Sequence, residues 1–592
     1  MSPFETTNIL EDLNAEQREA VVHGGGPQLV VAGAGTGKTA VITRRIAHLV
    51  STRTCRDREI LALTFTEKAA EEMETRVDRL VPYGFTESTL CTFHAFGDGV
   101  LREQGLLLGI TPDYRLLTKT EQLVFLREHL FDLPLRRLRP LGDPTRHLAA
   151  LLDVISRAKD EDVAPEAYAA YAAERAARAR DQDDASESVL WDRHEEVAAV
   201  YGAVEKLMQK KGFLDFGDLI VLALRLFRGH PDVLAAFRRR YRYMMVDEFQ
   251  DTNAAQFELI RLLAGRDANL TVVGDDDQSI YKFRGAAISN ILQFTQAYPR
   301  AAIRVRRKNY RSGQAVLDAA YRLIRHNDPE RLEAKHGLNK RLEAVSGAGE
   351  PVRFHAYDRV SAEADAAAEG ILTAHETEGR PWRDFALLFR ARRHADPFLR
   401  ALNMRGIPYR FAGSQGLYRR PEVRLCLAFI RVMADPADSL SLHELAAAPP
   451  YALPETALAR LAAAARRAHR SLERQLRKSG EGDEEISNEV RGGVSRLLED
   501  LTHYYQESRR LSAGQLLYHF MSRSGLLARL TEADTAESDW AIRNLSKFFD
   551  RIRSMEDVSA SSRAAAVARH LDLLIEAGDD PPAAEAEDDE DA

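Results

Sequence analysis

The segment AGAGTGKT, residues 32–39, constrains the fold more than any other part of the 592-residue sequence. It follows the apolar run LVV and precedes VITRRIAHLV, whose apolar residues recur at helical spacing. A glycine-rich turn between a strand and a helix is typical of a P-loop, in which backbone N–H groups and the helix N-terminus face phosphates. The segment therefore predicts a nucleotide-binding α/β domain.

Each residue of this loop has an expected part in binding ATP and Mg²⁺. Lys38 is expected to reach the β- and γ-phosphates, and the Thr39 hydroxyl is expected to help hold Mg²⁺. Ala32 stands at the usual first glycine of the motif, although three glycines remain in the loop. The predicted nucleotide-binding residues here are Ala32, Gly33, Ala34, Gly35, Thr36, Gly37, Lys38 and Thr39.

Two adjacent carboxylates, Asp247 and Glu248, end the strand-like run YMMV. An isolated pair of this kind is usually a solvated turn, but beside a P-loop it fits phosphoryl transfer. We expect Asp247 to hold Mg²⁺ and Glu248 to orient or deprotonate the attacking water.

Alternating strand and helix patterns define the expected organisation. Strand-like runs, each followed by a polar turn and a helical pattern, are PQLVVAGAGTGKT, EILALTFTEKAA, RYMMVDEFQDT and NLTVVGDDDQS. Such βα alternation predicts a parallel sheet with its working loops at the strand ends. We predict a first α/β domain in two parts, residues 1–96 and 241–303, around a helical insertion at 97–240.

Strand signals return at AIRVRRKNY, PVRFHAYD and FALLFR, and they predict a second α/β domain at residues 304–412. Helical patterns then continue as a second insertion at 413–578. The last fourteen residues, 579–592, contain eight acidic residues and no basic residue, which predicts a disordered acidic tail.

Composition excludes some classes of protein. The formal net charge of −8 falls to about zero without the acidic tail, so it decides nothing about a nucleic-acid partner. No apolar run reaches the roughly 20 residues that span a bilayer, and the N-terminus lacks the pattern of a secretory signal. We expect a cytoplasmic protein without a membrane partner. Cys55, Cys91 and Cys426 match no metal-binding or disulfide spacing.

The ordered series of motifs resembles the UvrD/Rep/PcrA group of superfamily 1 DNA helicases. The matching segments are LNAEQREAV, AGAGTGKT, LTFTEKAAEEMETR, CTFHAF, LDFGDLI, VDEFQDTN, VGDDDQSIYKFRGA, RKNYRS and IPYRFAGSQGLYRRPEV. The resemblance implies P-loop NTPase, RecA-like α/β motor domains, each interrupted by a mostly helical insertion. It also implies ATP-driven movement with 3′-to-5′ polarity along single-stranded DNA and unwinding at single/double-strand junctions, in repair or recombination.

The same resemblance assigns further residues to the nucleotide. Gln17 is expected to recognise the adenine edge, and Tyr310 is expected to stack on the adenine ring. Gln278 is expected to sense the γ-phosphate and couple it to DNA. Arg311 is expected to donate to the γ-phosphate from the second motor domain, as an arginine finger does. The rest of the arginine-rich run RVRRKNYR is interpreted as a solvated strand edge.

For single-stranded DNA, the resemblance implies side chains that mix ring faces for base stacking with polar groups for phosphates. These residues are Phe65, Thr66, Phe93, His94, Tyr281, Phe283 and Arg284. Phe283 stands where the family is expected to have Trp, and Glu67 stands where Asn is more usual. His94 fits a structural role equally well.

Two later segments that complete the second motor domain of the resembled family are not recognised in this sequence. One resembles T-x-H-x-x-K-G-L-E-F, and the other carries a second γ-phosphate arginine. Their absence predicts a truncated second motor domain, a separately encoded C-terminal half and poor hydrolysis by this chain alone. Two alternatives therefore stay open: the motor portion of a helicase-nuclease, and a hydrolysis-impaired module that binds ATP and DNA.

Overall fold

The computed structural model describes residues 7–81, 87–265, 269–280, 289–411, 416–449, 451–480, 487–533, 535–558 and 563–584. The chain divides into two compact units, Met1–Phe354 and His355–Ala592. Within the described ranges, no helix combines the length and the apolar character needed to cross a membrane.

The first unit alternates short strands with helices. Its strands are Gln28–Ala32 (β1), Ile60–Thr64 (β2), Thr89–Thr92 (β3), Arg115–Leu116 (β4), Phe213–Leu214 (β5), Tyr243–Val246 (β6), Asn269–Gly274 (β7), Ala302–Arg306 (β8), Lys308–Asn309 (β9) and Glu343–Ala344 (β10). Its helices are Thr7–Glu11 (α1), Ala15–Val21 (α2), Lys38–Ser51 (α3), Glu67–Asp78 (α4), Phe93–Gln104 (α5), Lys119–Glu128 (α6), Leu148–Asp160 (α7), Pro165–Asp181 (α8), Ala185–Lys210 (α9), Phe216–Gly229 (α10), Pro231–Arg240 (α11), Ala254–Ala264 (α12), Ser289–Ala297 (α13), Gln314–Ile324 (α14) and Leu332–His336 (α15).

Six strands form one parallel sheet in the order β3-β2-β6-β7-β1-β8. Alternate residues of β1 and β2 enter two different cores: Leu29 and Leu61 face one layer, whereas Val30 and Ala62 face the other. Both faces of the sheet are therefore buried, which explains why these strands are continuous apolar runs. The parallel sheet that the alternation of strand and helix patterns predicted is confirmed.

The helical insertion has a core of its own. Apolar side chains from α6, α7 and α9 pack together and include Phe125, Leu151 and Val200. Helices α10 and α11, although they lie within the predicted range 97–240, instead pack Phe227 and Phe237 into the sheet core. The range therefore contains both an independent helical lobe and helices that cover the sheet.

A buried ion cluster fixes the insertion to the sheet. Lys159 at the end of α7 is 2% exposed and donates to Asp215 at 2.8 Å and to Asp218 at 2.7 Å. Asp215 caps the N-terminus of α10, and Asp218 returns the interaction by accepting from the backbone N–H of Asp215. The buried ammonium group and the two carboxylates thus form ion pairs in a region that water does not reach.

The second unit is helical in its described residues. Its helices are Val360–Glu378 (α16), Asp396–Met404 (α17), Pro421–Ala434 (α18), Ser439–Ala447 (α19), Glu455–Arg467 (α20), Leu472–Gly480 (α21), Asn488–Glu507 (α22), Ala513–Arg523 (α23), Leu526–Glu532 (α24), Ala536–Val558 (α25) and Ala564–Glu576 (α26). Helix α18 is buried on most sides, and its Phe429 ring stacks on Phe520 at 4.2 Å. Helices make up most of the described part of residues 413–578.

The three strand signals expected to open a second domain have different outcomes. The first forms β8, but it pairs with β1 and so completes the first sheet. No strand forms at PVRFHAYD or FALLFR, so those two strand predictions are wrong. A strand needs a paired neighbour to satisfy its backbone, and the described residues provide none there. Phe354 and Leu388 accordingly stay 91% and 94% exposed.

The start of the expected acidic tail is ordered, contrary to the prediction for 579–592. Asp579 accepts hydrogen bonds from Tyr418 at 2.9 Å and from Arg551 at 2.8 Å. The backbone N–H of Ala584 donates to Asn544 at 2.6 Å, and Ala583 is buried. These hydrogen bonds and the burial of Ala583 hold residues 579–584 in place within the second unit. Residues 585–592 lie outside the described ranges.

Replacing Lys159 with methionine is expected to destabilise the first unit. The change leaves two buried carboxylates without their cation, which costs about 3–5 kcal/mol when one partner of a buried ion pair is removed. The measurement is urea unfolding followed by tryptophan fluorescence and circular dichroism.

The matched control is Lys119→Met, because Lys119 pairs with Asp153 on the surface of the same lobe, where both side chains are more than 60% exposed. Loss of an exposed pair costs at most about 1 kcal/mol. Equal shifts in the two variants would show that the buried cluster does not hold the lobe in place.

Candidate functional site

The carboxyl ends of the six parallel strands carry the motif loops. The loop after β1 is the P-loop, the loop after β6 begins with Asp247, and the loop after β7 leads to Gln278. The loops after β2 and β3 carry Phe65 and Phe93. Because parallel strands end at one edge, segments far apart in sequence meet there.

The P-loop adopts the conformation that its glycines permit. Gly35 and Gly37 have φ angles of 73° and 78°, in the left-handed region that side chains rarely enter. A Cβ on Gly35 would also lie 2.7 Å from the Cβ of Arg311. Helix α3 begins at Lys38, so its N-terminus points into the loop.

Lys38 joins the P-loop to two other motif loops. Its side chain is 9% exposed, and its ammonium group forms a salt bridge with Glu248 and donates to Gln278 Oε1 at 3.1 Å. Gln250 also donates to the Glu248 carboxylate, at 2.6 Å. The lysine, the expected water-activating carboxylate and the expected γ-phosphate sensor are therefore in contact.

Thr39 and Asp247 form the second contact between the loops. The Thr39 hydroxyl donates to Asp247 Oδ2 at 3.2 Å. Burial, and then the neighbouring Glu248 carboxylate, raise the pKa of Asp247 to about 6. Burial destabilises the charged form of this carboxylate, and a bound divalent cation would stabilise that form. The Thr39 hydroxyl beside it offers a second oxygen ligand. These residues fit Mg²⁺.

Glu248 has an uncommon backbone conformation. Its φ of 47° and ψ of 45° are left-handed, a region that costs a non-glycine residue about 1 kcal/mol or more. A short 3₁₀ turn, Phe249–Asp251, follows at once and turns the chain away from β6. The conformation presents the Glu248 carboxylate to Lys38 while Asp247 stays buried. Strain of this kind often accompanies functional geometry.

Gln17 and Tyr310 lie on the same side of the P-loop. Gln17 Nε2 donates to the carbonyl of Thr36 at 3.3 Å, and its side-chain oxygen accepts from the N–H of Asn14 at 3.0 Å. Asn14 in turn donates to the Tyr310 hydroxyl at 2.8 Å. The Tyr310 ring is 50% exposed, whereas Gln17 is buried. The two residues expected to bind adenine are therefore near neighbours.

Arg306 is a functional-site residue that sequence reasoning missed. The arginine-rich run predicts a solvated strand edge, but Arg306 is only 1% exposed. Its guanidinium donates to the carbonyl of Gly37 at 3.1 Å and to that of Thr36. Burial lowers the pKa of Arg306 to about 10. The parallel pairing of β8 with β1 brings this arginine under the P-loop, which a local charge pattern does not reveal.

The NYR segment also contacts the P-loop directly. Asn309 donates to the carbonyl of Ala34 at 2.6 Å, and the backbone N–H of Tyr310 donates to the carbonyl of Gly35 at 2.9 Å. Arg311 is exposed and lies beside Gly35, within the first compact unit. The structure thus places the expected arginine finger next to the loop that it is expected to serve.

The loops after β2 and β3 form a second part of the same edge. Thr66 and Thr92 cap α4 and α5, and the Thr92 hydroxyl donates to Glu67 at 2.8 Å. Glu67, where the resemblance leads one to expect Asn, therefore holds the two loops together. Phe65 is half-buried beside them.

The two residues predicted after β3 differ in accessibility. Phe93 is 2% exposed and packs in the sheet core, so in this structure its ring has no free face for a base. His94 is half-buried, and burial lowers its pKa below the usual value. Its ring meets Phe216 edge-on at 5.8 Å, and Phe216 is 47% exposed. Phe216 lies in the quoted motif LDFGDLI, but the prediction gave it no role.

Tyr281, Phe283 and Arg284, the remaining predicted DNA contacts, lie outside the described residues. The described chain before them ends at Ile280, which is 71% exposed. The roles of these three residues therefore stay predictions.

Comparison with known proteins supports the sequence resemblance. The family model of the UvrD/REP helicase N-terminal domain matches residues 13–299, and that of the UvrD-like helicase C-terminal domain matches residues 305–575. The chain is 33% identical over 550 residues to the ATP-dependent DNA helicase PcrA of Leuconostoc citreum, covering 93% of this chain and 69% of the relative.

Two further relatives give a similar result. The chain is 37% identical over 452 residues to the ATP-dependent DNA helicase UvrD1 of Mycobacterium bovis, covering 75% of this chain and 55% of the relative. It is 34% identical over 458 residues to the ATP-dependent DNA helicase PcrA of Bacillus subtilis, covering 77% and 58%. The matched part thus spans between about half and just over two thirds of these relatives.

These matches also correct one expectation. The sequence predicted a motor that breaks off within its second domain, but the C-terminal family model continues to residue 575. The residues assigned to a partial domain and to a separate helical insertion therefore belong together to one C-terminal family domain. With both family domains matched and the nucleotide-site motifs assembled at one sheet edge, the chain belongs to the UvrD/Rep helicase family.

Proposed function

We propose that this chain is an ATP-dependent DNA helicase and translocase that acts on single-stranded DNA. The observation that carries the proposal is the meeting of Lys38, Thr39, Asp247, Glu248 and Gln278 at one sheet edge, beside the loops after β2 and β3. The names of the relatives, all ATP-dependent DNA helicases, support the same activity.

The contacts support a division of labour in ATP hydrolysis. Mg²⁺, held by Thr39 and Asp247, would neutralise charge on the β- and γ-phosphates. Lys38 would exchange its contacts with Glu248 and Gln278 for the phosphates. Glu248, released from the lysine and still bonded to Gln250, would orient the attacking water. Gln278 would then respond to the presence of the γ-phosphate.

The base and the third phosphate have separate binding groups in this proposal. Tyr310 offers an exposed ring to adenine, and Gln17 can exchange its contact with Thr36 for the adenine edge. Arg311 is exposed beside Gly35, so its guanidinium is free to donate to the γ-phosphate.

Single-stranded DNA is proposed to follow the loops after β2 and β3. Phe65, Thr66 and His94 lie there, and the exposed ring of Phe216 adds a stacking face next to His94. Stacking on rings tolerates any base sequence, as a translocating motor requires. We infer the 3′-to-5′ polarity, the preference for junctions and the role in repair from the family resemblance. The cytoplasmic location also stays a prediction.

The proposal predicts that single-stranded DNA stimulates ATP hydrolysis and that a duplex with a 3′ tail is unwound while one with a 5′ tail is not. In Glu248→Gln, kcat should fall by about 10²–10⁴-fold because a general base contributes a factor of this size. Nucleotide binding should persist because Lys38 and Thr39 are unchanged. Steady-state hydrolysis, strand displacement and titration with a fluorescent ATP analogue measure the three properties.

Glu258→Gln is the matched control, since Glu258 is a partly buried glutamate on α12 that pairs with Arg261 at 2.7 Å outside the site. It should keep wild-type rates. The proposal is wrong if the wild-type chain binds ATP but neither hydrolyses it nor unwinds DNA in either orientation. Efficient unwinding only from a 5′ tail would reverse the proposed polarity.

Phe216→Ala is expected to weaken the binding of single-stranded DNA without changing nucleotide affinity. Loss of one base–aromatic stack costs about 1–3 kcal/mol, which corresponds to an increase of about 5- to 150-fold in Kd for an oligothymidylate. Fluorescence anisotropy of a labelled oligonucleotide measures the change.

Phe131→Ala serves as the control because Phe131 is 82% exposed and lies in sequence between Leu130 and Leu133, which pack into the separate core of the helical insertion. Its Kd for the oligonucleotide should match that of the wild-type chain. Equal affinities for both variants would exclude Phe216 as a stacking residue.

A further inference from the structure

Three consecutive aspartates follow β7 and form a cluster of neighbouring carboxylates. The carboxylates of Asp275, Asp276 and Asp277 lie within 4.8 Å of one another, close enough to share a cation. Asp275 and Asp276 are buried, and Gln278 follows directly. Three carboxylates this close together repel one another unless positive charge is supplied.

The first unit supplies that charge from its own side chains. Lys340 Nζ donates to Asp275 at 2.7 Å and to Asp277 at 2.8 Å, and it also contacts Asp276. Arg331 binds both oxygens of Asp277, each at 2.7 Å. The ammonium group thus lies where a metal ion would be shared, and the cluster is an internal salt-bridge network.

The two cations are themselves held in place. Lys340 is 5% exposed and Arg331 is 4% exposed. Glu333 accepts from the backbone N–H of Lys340 at 3.0 Å and lies 2.9 Å from Arg331. Although burial opposes it, the three aspartates raise the pKa of Lys340 above its ordinary value, so the lysine stays charged.

A short chain of contacts connects Lys340 to the nucleotide site. Asp275 accepts from Lys340 through Oδ1 and from Gln278 Nε2 through Oδ2, the latter at 2.8 Å. Gln278 Oε1 accepts from Lys38 of the P-loop at 3.1 Å. Asp275 is therefore fixed on one side by Lys340 and orients the glutamine amide on the other.

The chain after Lys340 is also connected to the P-loop, through β9. Three residues after Lys340, β10 begins, and it pairs in parallel with β9, which contains Asn309. Asn309 donates to the P-loop carbonyl of Ala34. Residues 306–345 thus hold the P-loop at one end and the aspartates at the other.

We propose that Lys340 is a positioning residue for ATP hydrolysis: by holding Asp275, it sets the side chain of Gln278 toward the nucleotide, while Arg331 anchors the same loop through Asp277. The inference rests on the proposed function, because it assumes that Gln278 senses the γ-phosphate. Without Lys340, Gln278 loses its fixed orientation, whereas the phosphate-binding residues of the P-loop keep theirs.

The kinetic test is a double-mutant cycle of Lys340→Met and Gln278→Ala. Lys340→Met should lower the kcat of DNA-stimulated hydrolysis by about tenfold or more with KM for ATP changed less than about threefold, because only the sensor is misplaced. In the Gln278→Ala background, Lys340→Met should lower kcat no further, since residues that act through one group are not additive. Lys340→Arg, which keeps the charge, should restore part of the rate.

Lys335→Met is the matched control, because Lys335 lies in the same segment and pairs with Glu330 at the surface, away from the aspartates. It should leave kcat unchanged. Independent losses from Lys340→Met and Gln278→Ala that multiply in the double variant would overturn the proposal, and so would a wild-type rate in Lys340→Met.

Hydrogen exchange tests the positioning without relying on hydrolysis. The N–H of Asp275 donates to Gln250 and that of Gln278 donates to the carbonyl of Asp275, so both should be protected. Exchange in a peptide covering 274–280 should be faster in nucleotide-free Lys340→Met than in the wild type and unchanged in Lys335→Met. Unchanged exchange in Lys340→Met would overturn the inference even if the chain hydrolysed no ATP.

If Lys340→Met lowers the thermal unfolding temperature enough to prevent these measurements, Lys340→Met/Asp276→Asn replaces it. This variant removes one charge of each sign from the cluster and keeps the carboxylate of Asp275. The proposal requires the same faster exchange and the same absence of a further effect in the Gln278→Ala background. If only the proposed function fails, the wild-type chain will not hydrolyse ATP, but exchange will still be faster in Lys340→Met and unchanged in Lys335→Met.

Discussion

The parallel pairing of six strands is the constraint on which the rest of this structure depends. It brings the carboxyl ends of β1, β2, β3, β6, β7 and β8 to one edge, so residues from Lys38 to Gln278 meet although 240 positions separate them. Burial of both sheet faces keeps that edge rigid. The loops can then carry strained or charged groups, such as the left-handed Glu248, without loss of the fold.

The basic residues of the first unit fall into two groups: those that support the loops and those expected to contact ATP. Lys159, Arg306 and Lys340 are buried and hold fixed partners, namely carboxylates or P-loop carbonyls. Lys38, in contrast, contacts Glu248 and Gln278, and we propose that phosphates displace these contacts. Arg311 is exposed. The groups that shape the loops therefore keep fixed partners. Of the residues expected to contact ATP, Tyr310 and Arg311 are exposed, whereas Gln17 and Lys38 are buried.

Much of the candidate nucleotide site could be predicted from sequence because its residues lie in short contiguous motifs. Lys38, Thr39, Asp247 and Glu248 each follow a recognisable strand, and the structure brings them together. The contacts of Arg306 and Lys340 could not be predicted from local motifs. They depend on the pairing of β8 with β1 and of β10 with β9, which joins distant parts of the chain. For Phe93 the motif was misleading in the opposite way: it implied a ring that stacks on a DNA base, but packing against the sheet buries that ring.

We propose that ATP and single-stranded DNA bind to one continuous sheet edge and influence each other. The most direct test is the Kd of an oligothymidylate measured with and without a non-hydrolysable ATP analogue, together with the Kd of the analogue with and without the oligothymidylate. Couplings between linked sites are typically about 5- to 150-fold, and the two ratios must be equal by thermodynamic linkage. If the two sites are coupled through this edge, the two ratios should be equal and should differ from one. Ratios of one in both directions, with both ligands bound, would contradict this coupling.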